Sequence, residues 1–536
     1  MREVRIEPRR LPANVLLAAL AAVALLSSLV QASPDTAWVR RYNGPDNGGD
    51  DANMVVADQA GNSYVTGWSA SMANGNDWLT IKYLPNGDTA WVRRADGWGH
   101  GDDRARALAV DDAGNVIVTG HTTNTGSNIN IATIKYDSNG NLVYVKEYDG
   151  ADHGDDRALA VAVDAAGNAY VVGFITTDSA GYDWMIVKYL PNGDTAWTRS
   201  ADGWGHGDDI IYDAAVDDSG NVVATGYTTG LAGNLNIGTI KSDPNGNAVY
   251  VKEYDGATHG EDAAYALAID SAGNAYVTGA SVGATSTDCV TIKYLPNGDT
   301  AWSRRYEGPA NGSDYGFAIA LDGAGNAIVT GYSEGATSGD DWLTIKYLPN
   351  GDTLWTRRAD GWANADDVSY AVAVGRSGDC FVTGSTTSLG GNINYGTIMY
   401  RSDGSLGWVV EYDGPGAGTD IAWSVALDTA ENVFVTGSSL GAATARDYAT
   451  IKYAAVGGVQ EDRRPLVREH RPGASIVSGS LWLASAPAAG SLPLLDAAGR
   501  QVQRLQAGAN DVSRLAPGIY FVCAGTGSAR RVVILP

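Results

Sequence analysis

The segment "WGHGDD" (residues 98–103) gathers Trp98, His100, Asp102 and Asp103 within one short stretch. An imidazole beside carboxylates could ligate a divalent cation or carry a proton. An indole beside carboxylates could stack on a sugar ring and accept hydrogen bonds from its hydroxyls. The pattern returns as His153 with Asp155, as Trp204 with His206 and Asp208, and as His259 in "HGED", and Trp362 stands in a further loop of the same kind. These residues, Asp103 excepted, are the ligand-binding candidates. No catalytic residue and no metal site is assigned, because no complete ligand set and no carboxylate pair unique to one place stands out.

A motif that recurs at fixed intervals reports first on architecture. Eight units begin at Thr36, Thr89, Leu142, Thr195, Ala248, Thr300, Thr353 and Leu406, spaced by 53 residues except for one interval of 52. That period belongs to a propeller or a solenoid. Each unit reads as four short alternating strands, as in "ATIKY", "LVYVKEY", "ALAVAV" and "AYVVGFI", joined by Asn-Gly or Asp-x-x-Gly-Asn turns. No segment has the helical periodicity that many solenoids need, which favours sheets repeated around an axis. One extra strand, "TAWVRRY" (36–42), precedes the first complete set, and the fourth strand is missing after "TIKY" (450–453). The two ends therefore complete one blade and pair each other's open edges. The expected fold is all-β: an eight-bladed propeller over residues 33–453, a linker over 454–475 and a small C-terminal β-sandwich over 476–536.

Composition agrees with strands and glycine turns: 44% of residues are hydrophobic, with 68 Gly and 27 Tyr against 5 Phe. The formal net charge of -24 argues against nucleic acid and anionic lipid as partners. Residues 1–32 combine Arg2, Arg5, Arg9 and Arg10 with the apolar run "LPANVLLAALAAVALLSSLV" and end in "VQA", the pattern of a secretory signal. Export and a mature chain without a membrane span are the expectation, with an uncleaved anchor as the runner-up. Cys289, Cys380 and Cys523 are too few for a disulfide scaffold in an exported protein. Cys289 and Cys380 are read as buried thiols, a bridge between them being the alternative.

The copies of "DDAGNVIVTG" and "TIKYLPNGDTAW" resemble the SBBP-type β-propeller repeat of secreted bacterial proteins over residues 36–453. That resemblance implies export and a propeller, described for the family with about seven blades and no defined catalytic activity. In the tail, "LLDAAGRQV", "LAPGIYFV" and "RRVVIL" are similar to the C-terminal sorting domain of the type IX secretion system. This implies that residues 476–536 engage secretion machinery and that the chain is released or held at the outer surface. An eight-bladed ring with outer-strand tryptophans is also similar to pyrroloquinoline quinone dehydrogenases, but the adjacent cysteine pair associated with that cofactor is absent.

Several repeating residues read as framework. Asp51, Asp103, Asp156, Asp209, Asp262, Asp314, Asp367 and Asp420 are expected to accept hydrogen bonds from turns. The lysine of "TIKY", replaced by Met399 in one unit, is expected to pair with a framework Asp. The aromatic third in each outer strand, Trp38 in the first, is expected to pack between blades. The four histidines lie on separate blades, too far apart to share an ion at roughly 2 Å. "DSNGN" and "DPNGN" lack the ligand alternation of a calcium loop and read as hairpin turns. The expected function is noncatalytic binding of carbohydrate or protein at the cell surface, with no cofactor beyond a possible divalent cation such as calcium. The alternatives are a polysaccharide-degrading hydrolase or lyase and a purely structural surface protein.

Overall fold

The computed structural model describes residues 33–455 except 72–74, 178–180 and 362, and in the C-terminal segment the strands named below with a few neighbours. Residues 33–455 form eight four-stranded antiparallel sheets, and no helix occurs among the described residues. The first blade consists of Asp50–Ala57, Ser63–Ser71, Gly75–Tyr83 and Thr89–Ala95, in that order from the axis outward. Each innermost strand packs against the innermost strands of both neighbouring blades, and Asp50–Ala57 packs against Asp420–Leu427 to close the ring. Closure comes from strand pairing between the two ends of the ring, as expected. Thr36–Tyr42 is the outer strand of the last blade, pairing with Arg446–Tyr453 so that Val39 faces Ile451 and Tyr42 faces Tyr448.

Turn chemistry sets each hairpin. Asp58 Oδ1 accepts the N–H groups of Ala60 and Asn62 at 2.9 Å, and Gly61 takes the left-handed conformation (φ 80°) that the turn requires. The expected lysine pairs form on most of these turns: Lys135 reaches Asp111 at 3.1 Å, Lys241 reaches Asp217 at 2.9 Å, Lys346 reaches Asp322 at 2.8 Å, and Lys452 and Lys293 approach Asp428 and Asp270 at 3.6 Å and 3.9 Å, whereas Lys82 and Lys188 donate to the Ser138 and Pro244 carbonyls at 3.0 Å. Between blades, Trp38 Nε1 donates to the Pro85 carbonyl at 3.2 Å and Arg40 Nε donates to the Gly87 carbonyl at 2.6 Å. Trp91 with Arg93, Trp302 with Arg304 and Trp355 with Arg357 repeat the contact on the next blade's outer turn. These outer aromatics are therefore packing residues.

The framework aspartate sits where each inner strand begins. Asp103 accepts the Gly97 N–H at 2.6 Å and the Thr123 N–H at 2.6 Å, which ties the preceding loop to the end of the second strand. Asp156, Asp209 and Asp367 do the same in their blades. In the first blade this place belongs to Asp50, which accepts the Gly44 N–H at 2.7 Å and is fully buried. The expectation of Asp51 was off by one residue, because two aspartates adjoin and only the register with Ser69 distinguishes them.

Every inner strand then bulges, one extra residue standing between Ala52 and Met54 in the first blade and between Ala105 and Ala107 in the second. A glycine on the adjacent strand makes room. A Cβ on Gly67 would lie 1.9 Å from the Asp51 carbonyl oxygen, and one on Gly120 would lie 2.0 Å from that of Arg104.

In the C-terminal unit, Gly457–Pro536, the strands Ser475–Val477, Ala529–Ile534, Gly518–Cys523, Leu492–Asp496 and Gln501–Leu505 form one sheet in that order. Ser480–Leu483 pairs with Gly508–Asp511 in a second. The expected signal over 1–32 and nearly all of the expected linker lie outside the described residues. Cys289 and Cys380 are free, buried thiols, and burial pushes both up to about 12.

Gly226→Ala should destabilise the protein by about 3 kcal/mol, since its Cβ would meet the Ile210 carbonyl oxygen at 1.8 Å. Gly323→Ala, where a Cβ meets nothing within 4 Å, should change stability by under about 1 kcal/mol. Urea unfolding of both variants checks this, and equal midpoints would contradict the steric account.

Candidate functional site

The loops that enter each blade and the loops between its second and third strands open on one face, because the strands alternate in direction. The candidate histidines lie in the first set. His100, His153, His206 and His259 all have positive φ, between 52° and 54°, and Asn47, Asn311, Asn364 and Ala417 occupy the same turn position at 46° to 52°. Histidine and asparagine tolerate the left-handed region better than most residues, which gives a backbone reason for both types here. Each imidazole Nδ1 meets the carboxylate four residues earlier: His100 with Asp96 at 2.6 Å, His153 with Asp149 at 2.8 Å, His206 with Asp202 at 2.5 Å, and His259 with Asp255 at 2.6 Å. The hydrogen bond and charge of the partner hold His153 and His206 above the ordinary histidine value. The structure thus brings each histidine to its own loop aspartate.

Asp102, Asp155 and Asp208 tie their loops to the third strand of the preceding blade. Asp102 accepts from Asn76 Nδ2, Asp155 from the Ile129 N–H at 3.3 Å and Asp208 from the Tyr182 N–H at 3.1 Å. Trp98 and Trp204 project outward, 45% and 38% exposed. Trp362 lies outside the described residues.

Beside these tryptophans the blades part into clefts. One of about 540 Å³ lies between the first and second blades, lined by Trp78, Asp96, Trp98, His100, Asp103 and Thr122 among others. A second, of about 230 Å³, has Trp184, Asp202, Trp204 and Thr228. A third, of about 150 Å³, has Trp342, Asp360, Asp367 and Thr386. The deep indoles are held identically: Trp78, Trp184 and Trp342 donate Nε1 to the carbonyls of His121, Tyr227 and Ser385, each at 2.8 Å. Small residues opposite admit them, for a Cβ on Gly238 would stand 2.2 Å from the Trp184 ring and one on Gly396 2.9 Å from the Trp342 ring. The same aromatic and acidic cleft is built three times.

A second arrangement, on the inner rim, escaped the sequence reading. The bulged residue lies third after each framework aspartate, and its type varies around the ring. It is Asn53, Arg106 and Leu159 in the first three blades, then Tyr212, Tyr265, Phe317, Tyr370 and Trp423. The aromatic members touch from blade to blade, with ring centroids 5.7 Å apart for Tyr212 and Tyr265, 5.5 Å for Tyr265 and Phe317, 6.0 Å for Phe317 and Tyr370, and 4.7 Å for Tyr370 and Trp423. The signal was available as a fixed offset from the aspartate. It is hidden because the residue at that offset changes type from blade to blade.

No family description matches the chain, and no curated protein is a detectable relative. Solved structures with similar chain traces include the quinohemoprotein alcohol dehydrogenase ADHIIG from Pseudomonas putida HK5, at 11% identity and TM-score 0.44 over 83% of this chain and 81% of that one. Polysaccharide lyase Uly1 matches at 7% identity and TM-score 0.40, over 77% and 91%. Drosophila Plexin A, solved in complex with Semaphorin 1b, matches at 9% and 0.38, over 80% and 88%. Likeness at this level is a likeness of fold. It assigns no chemistry.

Among the described residues, two carboxylate groups could face a cation: Asp77, Asp96 and Asp103, and Asp183, Asp202 and Asp209, each offering oxygens within 4.8 Å of one another. In the first, Arg94 already meets Asp77 at 2.6 Å. Arg41, Arg305 and Arg358 neutralise the equivalent Asp447, Asp288 and Asp341. The third blade breaks this rule, because Ser200 stands where the arginine should be. Burial, then repulsion from Asp202 and Asp209, pushes Asp183 from 3.8 up to about 6. Three carboxylates fall short of the six or more oxygens that calcium takes, so water or backbone would have to complete any such shell.

The raised value fixes the sign of a pH effect. The folded chain holds the Asp183 proton more tightly than the unfolded one, so this group subtracts stability as pH rises from about 4 to about 6. Ser200→Arg should flatten that segment of the stability profile and raise the thermal midpoint at about pH 7, as Asp183→Asn should. Thermal unfolding across that range tests it, and an unchanged profile in both variants would refute the assignment.

Proposed function

We propose that the protein is a noncatalytic carbohydrate-binding propeller, displayed at the cell surface or secreted, that takes sugar in the clefts between its blades. The observation that supports this reading most is the recurrence of one cleft at three places. A buried indole forms the floor of each, acidic and threonine side chains offer acceptors, and Trp98 and Trp204 stand exposed at the rims of two. An indole face covers the C–H side of a pyranose, while carboxylates bind its hydroxyls. Equivalent shallow sites favour multivalent capture of a repeating glycan over a single deep pocket. Export fits the SBBP-type resemblance of residues 36–453 and the sorting-domain resemblance of residues 476–536, whose partner would be the secretion machinery. In this reading the loop histidines shape the rims.

The test is a glycan array with the full chain, followed by titration of any bound glycan. Trp98→Ala with Trp204→Ala should weaken binding by about tenfold or more. Binding indifferent to both losses would remove the clefts from consideration, and turnover of a bound glycan would favour a hydrolase or lyase instead.

A further inference from the structure

The chain carries a net charge of -24, yet it sets three guanidinium groups together at the loop-side end of two neighbouring inner strands. Arg104 pairs with Asp102 at 3.0 Å and lies over the Trp68 ring at 5.0 Å, and Arg157 pairs with Asp155 at 3.7 Å. Arg106, on the bulge between them, makes no ion pair among the described residues, and its Nε is buried without a hydrogen-bond partner. Beside these arginines His121 is 2% exposed and leaves Nδ1 unpartnered. Burial and the repulsion of Arg106 and Arg157 hold this imidazole down to about 3, so it stays neutral at neutral pH. Burial, then Arg104 and Arg157, also hold Arg106 below its ordinary value, with Asp102 as the opposing charge.

A half-buried guanidinium with an unmade hydrogen bond, beside two like charges, costs stability in the free protein. The framework does not require it, since the same bulge accepts Asn53 in the preceding blade and Leu159 in the following one. The group is also reachable, because the Arg104 and Arg157 side chains are 34% and 36% exposed. Further round the rim runs the aromatic arc from Tyr212 to Trp423, partly exposed, with the phenol groups of Tyr212, Tyr265 and Tyr370 among its apolar faces.

We infer that the loop-side mouth at the propeller axis binds an acidic saccharide, Arg106 taking the carboxylate of a uronate and the aromatic arc taking the apolar face of a sugar ring. Arginine matches a carboxylate with two parallel N–H donors, and the pairing gains strength where water is partly excluded. A mixed surface of ring faces and phenol hydroxyls suits a pyranose, which has C–H faces and hydroxyl edges, better than it suits a wholly apolar ligand. The site uses none of the cleft tryptophans. It therefore stands or falls separately from the clefts.

Isothermal titration of the full chain with a galacturonate trimer tests the inference, with the neutral galactose trimer and inorganic phosphate as the comparison probes. The acidic trimer should bind, weaken with added salt, and lose about tenfold or more in affinity in Arg106→Gln, with partial recovery in Arg106→Lys. Arg106→Gln should also unfold at a higher temperature than the parent without ligand, because an uncompensated charge has been removed. If that variant does not fold, the salt dependence and the contrast between acidic and neutral trimers in the parent decide the matter. No binding of the acidic trimer, equal binding of the neutral one, displacement by phosphate at matching affinity, or binding untouched by Arg106→Gln would each overturn it.

Discussion

The contact on which the inner half of the molecule depends is a backbone against a hydrogen atom. Where each inner strand bulges, its carbonyl oxygen presses so close to the adjacent strand that only glycine fits, as at Gly67, Gly173 and Gly437, where a Cβ would stand about 2 Å from the Asp51, Arg157 and Ile421 oxygens. The bulge bends the strand and releases one side chain per blade from the ladder. Because the framework aspartate lies three residues earlier and anchors the incoming loop, the released side chain is placed with respect to that loop as well. A fixed backbone device thus presents a variable residue eight times around one axis.

Constant and variable positions divide the labour. The outer tryptophan with its arginine recurs in five blades and holds each to the glycine turn of the next through hydrogen bonds and a stacked guanidinium, while Tyr144 with Lys146, Tyr250 with Lys252 and Trp408 with Val410 stand in the other three. Charge pairing inside the blades follows a rule with two forms, arginine with aspartate as in Arg305 and Asp288, or glutamate with asparagine as in Glu147 and Asn130. Ser200 opposite Asp183 obeys neither form. Departures of this kind mark where a repeat has stopped being only a repeat, and the bulge positions from Arg106 to Trp423 depart most.

Much of this was legible in the sequence. Asp58, Gly61 and Asn62 announce a hairpin through local turn chemistry, and the orphan strand at Thr36 announces closure by simple counting. The outer-strand aromatics could be called packing residues because a site has no use for so many copies. The framework position in the first blade was missed because Asp50 and Asp51 adjoin, and only pairing with Ser69 separates a buried acceptor from its neighbour. The inner rim was missed for a deeper reason. Searching for recurrence discards any position whose chemistry changes, whereas Asn53, Arg106 and Tyr212 become comparable only once the register shows that they share a bulge. The isolation of Asp183 likewise depends on a partner strand 17 residues away in the equivalent pairs.

Joining the last blade with the first strand also orders events in time. Arg41 finds Asp447 across 406 residues, so the first strand of the ring has no partner until nearly the whole ring has emerged. Bringing such distant pieces together is slow, and a solitary strand edge invites association with other molecules in the interval. The ring therefore gains its seal only once its last strand, Arg446–Tyr453, has been made. A nascent chain truncated before Arg446 would carry a dangling edge at each end, a natural handle for chaperones and proteases to distinguish unfinished copies from finished ones.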